Sequence, residues 1–154
     1  MAGTSKFAQR AARAARRVNA GFIGAALALA TLTAPATLLA ADTLALILNG
    51  AQEVPPVNTA ASASGTIVVG MDQSVSGNVN TTGVTATAVL IQQAAPGAKG
   101  PTVFSLTRTG NDSWAVPDGS RLNDEQYRSY KAGNLYINVQ SDAHRDGEVR
   151  AQLR

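Results

Sequence analysis

Hydrophobic and polar positions alternate along this chain in short runs, broken every few residues by Gly, Asn, Asp, Pro or Ser, which is the pattern of many brief β-strands. Residues 44–48 (LALIL) open the series and stop at Asn49-Gly50. In residues 65–71, Ile67, Val69 and Met71 fall on one face and Thr66, Val68 and Gly70 on the other, because successive strand side chains point to opposite sides. Residues 74–82 and 85–92 flank Gly83 and are expected to pair as a hairpin, and residues 102–107 add a strand after a glycine- and proline-rich loop. Residues 134–140 alternate Leu135, Ile137 and Val139 with Tyr136 and Asn138. Residues 148–153 alternate Val149, Ala151 and Leu153 with Glu148, Arg150 and Gln152. Both patterns predict strands with one buried and one solvent-facing side. One segment departs from the two-residue period. Asn123 is placed to cap a helix whose first turn holds Asp124 and Glu125 and which ends at Lys131-Ala132-Gly133, with Leu122, Tyr127 and Tyr130 packing it on the sheet. The fold class expected is all-β: a single antiparallel β-sandwich or barrel, Ig-like or Greek-key in its connections, with one short helix.

Before Asp42 the pattern changes. Residues 21–41 (GFIGAALALATLTAPATLLAA) are apolar, and Lys6, Arg10, Arg13, Arg16 and Arg17 precede them. A cationic segment, an apolar segment and small residues near a cut are the parts of an export signal. We therefore divide the chain into a signal peptide at residues 1–41 and a β domain at residues 42–154. The small residues offer Ala34-Pro35-Ala36 or Ala40/Ala41 as the cleavage point, and cleavage just before Ala41 or Asp42 is favoured. A transmembrane anchor competes, since the stretch approaches the ~20 apolar residues that span a bilayer. Pro35, the threonines and the many alanines favour a cleaved signal, with no stable membrane insertion afterwards. Arg16-Arg17 suggests twin-arginine export, but Val18-Asn19-Ala20-Gly21-Phe22 match it poorly, so Sec-type export to the periplasm or cell exterior is expected.

Charge follows the same division. Of the 13 basic residues five precede Asp42, while all 10 acids lie from Asp42 onward, so the remainder has 8 bases against 10 acids and a net charge of −2. The basicity belongs to the leader, and the domain lacks the positive surface that nucleic-acid binding requires. There is no cysteine, which excludes disulfides, thiolate metal sites and a cysteine nucleophile. The domain must be held by its core.

Three motifs then carry a family resemblance. Leu48-Asn49-Gly50-Ala51-Gln52-Glu53-Val54-Pro55-Pro56-Val57 resembles the opening LxGxxEVPPV motif of the CHRD (chordin-type) domain. Gly133-Asn134-Leu135-Tyr136-Ile137-Asn138-Val139 followed by Gly147-Glu148-Val149-Arg150-Ala151-Gln152-Leu153 resembles its GxxYVNVH…GEIRGQL ending. The third match is the loop Ala95-Pro96-Gly97-Ala98-Lys99-Gly100-Pro101. The motifs stand in family order and cover about residues 46–153, and the resemblance is to the bacterial exported type. It implies extracellular protein interaction rather than a defined activity. One motif is degenerate: where the family reads AHIHxG this chain has Val89-Leu90-Ile91-Gln92-Gln93-Ala94, so Leu90 and Gln92 occupy histidine positions, as Gln140 does for a third. Imidazoles at alternate strand positions point the same way and can share a metal; leucine cannot ligate one. No metal site is expected, and no cofactor.

Other candidate chemistry is sparse. His144, the one histidine, lies in Asp142-Ala143-His144-Arg145-Asp146-Gly147-Glu148, which lacks the Gly and terminal Glu placement of an EF-hand loop and reads as a solvated hairpin turn. The serines and threonines form no nucleophile elbow. Glu53 and Arg150 come from the two most family-like motifs. In the structural reading, Glu53 or Glu148 pairs with Arg150 across the first and last strands. In the functional reading, Glu53 with the rigid Pro55-Pro56 step presents a binding surface. The expected function is a non-catalytic binding module for an unknown protein or cell-envelope partner, with Glu53, Pro55, Pro56 and Arg150 as binding candidates. The alternatives are an envelope protein that forms homo-oligomers and a degenerate metalloprotein or enzyme.

Overall fold

A computed structural model describes residues 40–154; the expected leader lies outside the described residues except for Ala40 and Ala41. Nine strands and one helix follow in order: β1 (Ala41–Asn49), β2 (Ser62–Gly70), β3 (Val75–Thr82), β4 (Ala86–Gln93), β5 (Thr102–Ser105), β6 (Thr107–Arg108), β7 (Ser113–Ala115), α1 (Asp124–Lys131), β8 (Leu135–Ser141) and β9 (Val149–Gln152). They form one antiparallel sheet in the order β5-β4-β8-β9-β1-β2-β3-β7-β6. The two outermost strands, β5 and β6, are separated in sequence by Leu106 alone, whose N–H donates to the Val89 carbonyl of β4 at 2.9 Å. The chain thus changes partner within one residue, and the sheet curls into a nearly closed barrel. Closure protects the strand edges that an open sheet leaves unpaired.

Inward side chains supply the core: Leu46 and Leu48 of β1, Ile67 and Val69 of β2, Val89 and Ile91 of β4, Ile137 and Val139 of β8. The helix forms where its cap predicts it. Asn123 accepts from the Gln126 N–H while the Gln126 side chain accepts from the Asn123 N–H, a reciprocal box that satisfies two otherwise unpaired donors. Leu122 and Tyr130 are buried, Tyr127 packs against the core, and the Tyr130 hydroxyl donates to Asp42 Oδ2 at 3.0 Å.

Three expectations are corrected. The hairpin about Gly83 does not form: β3 pairs with β2 and β7, and β4 with β5 and β8. A glycine marks where a strand stops, whereas its partner is set by the apolar surface the pairing buries, and β4 lays Val89 and Ile91 beside Val139 and Ile137 of β8. Second, residues 102–107 split at Leu106, and β7, with buried Trp114, pairs with β6. Third, β8 and β9 are not solvent-facing on their outer side. Tyr136, Asn138 and Arg150 are as buried as their inward neighbours, because the β4–β5 loop folds over Tyr136 and Arg150 and the β8–β9 hairpin, at Asp146 and Gly147, over Asn138. Gly100 permits that fold: a Cβ there would stand 1.8 Å from the Gln93 carbonyl oxygen.

Candidate functional site

The covered outer face of β4, β8 and β9 holds the residues the sequence singled out. Arg150 lies at its centre, 2% exposed, with its guanidinium 3.5 Å from the centroid of the Tyr136 ring. Its Nη1 donates to the Ala98 carbonyl at 2.7 Å, and its Nη2 to Gln152 Oε1 at 3.1 Å and the Ala95 carbonyl at 3.5 Å. Gln152 in turn donates to the Ala94 and Gly133 carbonyls, and the Tyr136 hydroxyl accepts from the Gly100 N–H. A buried cation must have its donors satisfied, and here loop carbonyls and an aromatic face do so.

The first and last strands are neighbours, with Asn49 of β1 opposite Arg150 of β9. The ion pair expected there is not made: among the described residues no carboxylate lies within ion-pair reach of Arg150. Carbonyls of the 94–101 loop have taken its donors. Glu148 instead accepts from Thr59 Oγ1 at 2.7 Å. Burial works to raise its pKa, but hydrogen bonds from Ser141 and Thr59 and the nearby His144 outweigh it and hold the carboxyl below its ordinary value.

Glu53 follows a short 3-10 turn, Gly50–Gln52, capped by Asn49, and its side chain turns inward, leaving it 4% exposed. Its Oε2 accepts from the Val54 N–H at 3.3 Å, while its Oε1 has no partner. Asn138 Oδ1 is likewise unpartnered; its Nδ2 donates to the Asp146 carbonyl and to Gln92 Oε1, which fixes the amide's orientation. Both lone oxygens press on Gly147: a Cβ there would stand 2.5 Å from Glu53 Oε1 and 2.4 Å from Asn138 Oδ1. Burial is the main cause that raises the Glu53 pKa, against the Val54 N–H and the charges of Arg150 and Lys99.

Above this buried layer opens a cleft of about 480 Å³, lined by Val54, Pro55 and Val57 on one side and by Lys99 and the β8–β9 hairpin, residues 142–147, on the other. Pro55 and Pro56 are exposed, His144 is half-buried, and Lys99 reaches Asp146 at 3.2 Å. The structure therefore separates the four candidates into two buried supports, Glu53 and Arg150, and two surface prolines. Leu90 and Gln92 face outward on β4 opposite Asn138 and Tyr136, and Gln140 on β8 lies opposite Ala88, so the three degenerate histidine positions share one face. Among the described residues no group of three or more His, Cys, Asp or Glu is placed to hold a metal.

Sequence reasoning missed Asn138, Tyr136, Gln152 and Thr59 as parts of this network. The available signal was a loop of small residues at 94–101 together with two strands, β8 and β9, whose supposedly outward positions carry the large polar side chains Tyr136, Asn138, Arg150 and Gln152. No curated protein and no solved structure matches the chain. Residues 44–153 match the CHRD domain, a span that contains the Glu53 turn, the 94–101 loop and the Arg150 strand. The chain belongs to the CHRD domain family.

Proposed function

We propose that this CHRD domain is a non-catalytic binding module that acts after export, in the periplasm or outside the cell, and holds a protein or cell-envelope partner on the cleft between Pro55 and the β8–β9 hairpin. The observation that carries the reading is the construction of that cleft. Its walls come from the Glu53–Val57 segment, held by the Val57 N–H on the Gly50 carbonyl, the 94–101 loop, held from beneath by Arg150, and the 142–147 hairpin, held by Asn138. A binding surface held rigid before the partner arrives loses less conformational entropy on association. Val54, Pro55 and Val57 provide apolar contact beside the charged Lys99, Arg145 and Asp146, the mixture found at protein interfaces. Leu90, Gln92 and Gln140 in place of histidines, and the lack of any cysteine, support a role without catalysis or cofactor. The cationic and apolar leader supports export.

The test compares the purified protein with Arg145→Glu and Lys99→Glu variants, both on the cleft wall, for retention of exported proteins and of isolated cell-wall polysaccharide. The expected result is a component retained by the wild type and at least tenfold less by both variants, with their thermal stability unchanged. Equal retention by all three proteins overturns the reading, as does retention of nothing.

A further inference from the structure

We propose that Glu53 works a latch on the β8–β9 hairpin: the protonated carboxyl lets Asn138 hold the hairpin in place, and the ionised carboxyl draws the Asn138 amide away and releases it. This is a regulation of the cleft, and it rests on the binding reading only for its effect on a partner. Glu53 is 4% exposed and Asn138 2%, yet Glu53 Oε1 and Asn138 Oδ1 each lack a hydrogen-bond partner. The two oxygens converge on Gly147, close to the start of β9. A Cβ added there would stand 2.5 Å from the first, 2.4 Å from the second and 2.7 Å from Asn138 Nδ2. With φ 141°, in the region that favours glycine, Gly147 is also the point at which the hairpin backbone turns most freely. The Asn138 amide thus mediates between Glu53 and the hairpin. Its Nδ2 donates to the Asp146 carbonyl at 2.9 Å, and its Oδ1 meets the same glycine as Glu53 Oε1.

A carboxylic acid and a carboxylate ask opposite things of that amide. The acid brings an O–H to a place with two lone acceptors, which leaves Asn138 Nδ2 on Asp146. The anion brings only acceptors and needs a donor, and Nδ2, beside the same point, can turn to supply it. The surrounding charges do not meet that need. Arg150 on β9 directs its N–H groups to Ala95, Ala98 and Gln152; Lys99 on the 94–101 loop pairs with Asp146; and the Val54 N–H reaches Oε2 alone. Asp146 on the hairpin adds a second negative charge. Of the hairpin's other charged or titratable groups, Asp142, His144 and Arg145 line the cleft and Glu148 accepts from Thr59. Burial outweighs the attraction of Arg150 and Lys99, so the Glu53 pKa is raised. The latch is therefore fully closed below 4.5 and opens as pH rises through the folded value. Once Nδ2 turns away, little else anchors the tip: the Lys99–Asp146 pair is exposed, and the bonds among Ser141, His144 and Gly147 run within the hairpin. The opposite wall stays, because the Glu53 and Val57 N–H groups donate to the Gly50 carbonyl. A partner then meets the complete cleft only in the closed share of molecules, and its apparent affinity falls by that share.

NMR of the purified protein from pH 4 to 8 tests the latch with no partner present. Backbone order parameters of residues 142–147 in the wild type are expected near about 0.85 at pH 4 and under about 0.6 at pH 8, while β2 and β3 stay rigid throughout. The midpoint of that change is expected to coincide with the titration of the Glu53 carboxyl carbon and with the shift of the Asn138 side-chain amide signals. Glu53→Gln, with a permanent donor, is expected to keep the hairpin rigid at every pH, and Asn138→Leu to leave it mobile at every pH. His144→Gln, which removes the hairpin's own histidine, is expected to behave as the wild type. A wild-type hairpin equally ordered at both ends of the range overturns the proposal. So does a midpoint that differs from that of the Glu53 carboxyl, a comparison the wild type makes by itself should a variant fail to fold. Loss of the pH dependence in His144→Gln, or loosening of β2 and β3 together with the hairpin, overturns it as well. A cleft that retains no partner defeats the binding reading and leaves the latch standing.

Discussion

Glu53 and Asn138 present two buried, unpartnered oxygens to the same glycine, and a single proton reconciles them. A protonated Glu53 brings a donor to a place where two unpaired acceptors face one glycine, and the upward pKa shift caused by its burial favours that form. For an acid whose folded-state pKa is raised, the stabilising contribution is fully present below the ordinary value of 4.5 and is lost as pH rises through the folded value. Glu53→Gln supplies an N–H at every pH. It should therefore be more stable than the wild type at pH 7, by about 1–2 kcal/mol from the cost of an unpaired buried acceptor, and gain little at pH 4. Parallel melting curves from pH 4 to 8 check this; an unchanged difference across that range removes the shared proton from the account. The site was legible in the sequence only in part. Glu53 and Arg150 stood out by motif, but an isolated charge on an alternating strand reads as exposed, and only the loop folded above Arg150 shows otherwise. Asn138 was hidden by the same assumption.

At the scale of elements, alternation placed most strands to within a residue or two, and the Asn123 cap and Gly133 placed the helix. Pairing was not legible, because partners far apart in sequence are chosen by buried surface, as β4 chooses β8 over β3. The partner switch between β5 and β6 was equally hidden: residues 102–107 read as one strand, and nothing local says that the chain leaves β4 for β7 at Leu106. That buried leucine fills the seam where the sheet meets itself. Leu106→Ala should cost about 2–4 kcal/mol, the range for truncating a buried leucine, and should accelerate amide exchange in β5, β6 and β7 more than in β1 and β2. Uniform acceleration over the whole barrel would show that the seam has no independent role.

For the molecule as a whole, the division of the barrel matters more than its closure. One half of its outer surface is covered by the 94–101 loop and the β8–β9 hairpin and carries the buried polar layer; on the other half, among the described residues, β2, β3 and β7 contain no charged residue. The sequence contained both halves, as polar-rich strands and as serine- and threonine-rich ones, without showing that they lie on opposite sides of a single sheet. The same sheet order sets β1 beside β9, and Asp42, Thr43 and Leu44 share a cleft with Arg154. A barrel whose opening and closing strands are hydrogen-bonded neighbours has no topological need to begin where it does. Joining residues 154 and 42 with a short glycine linker and opening the chain in the Pro117–Ser120 turn, whose Asp118 and Gly119 are exposed and where a Cβ added at Gly119 would meet nothing within 4 Å, should give a circular permutant. Its circular dichroism spectrum should match that of the parent, and its folding should remain cooperative. The domain would then be suited to insertion into the loops of other proteins as a self-contained cassette.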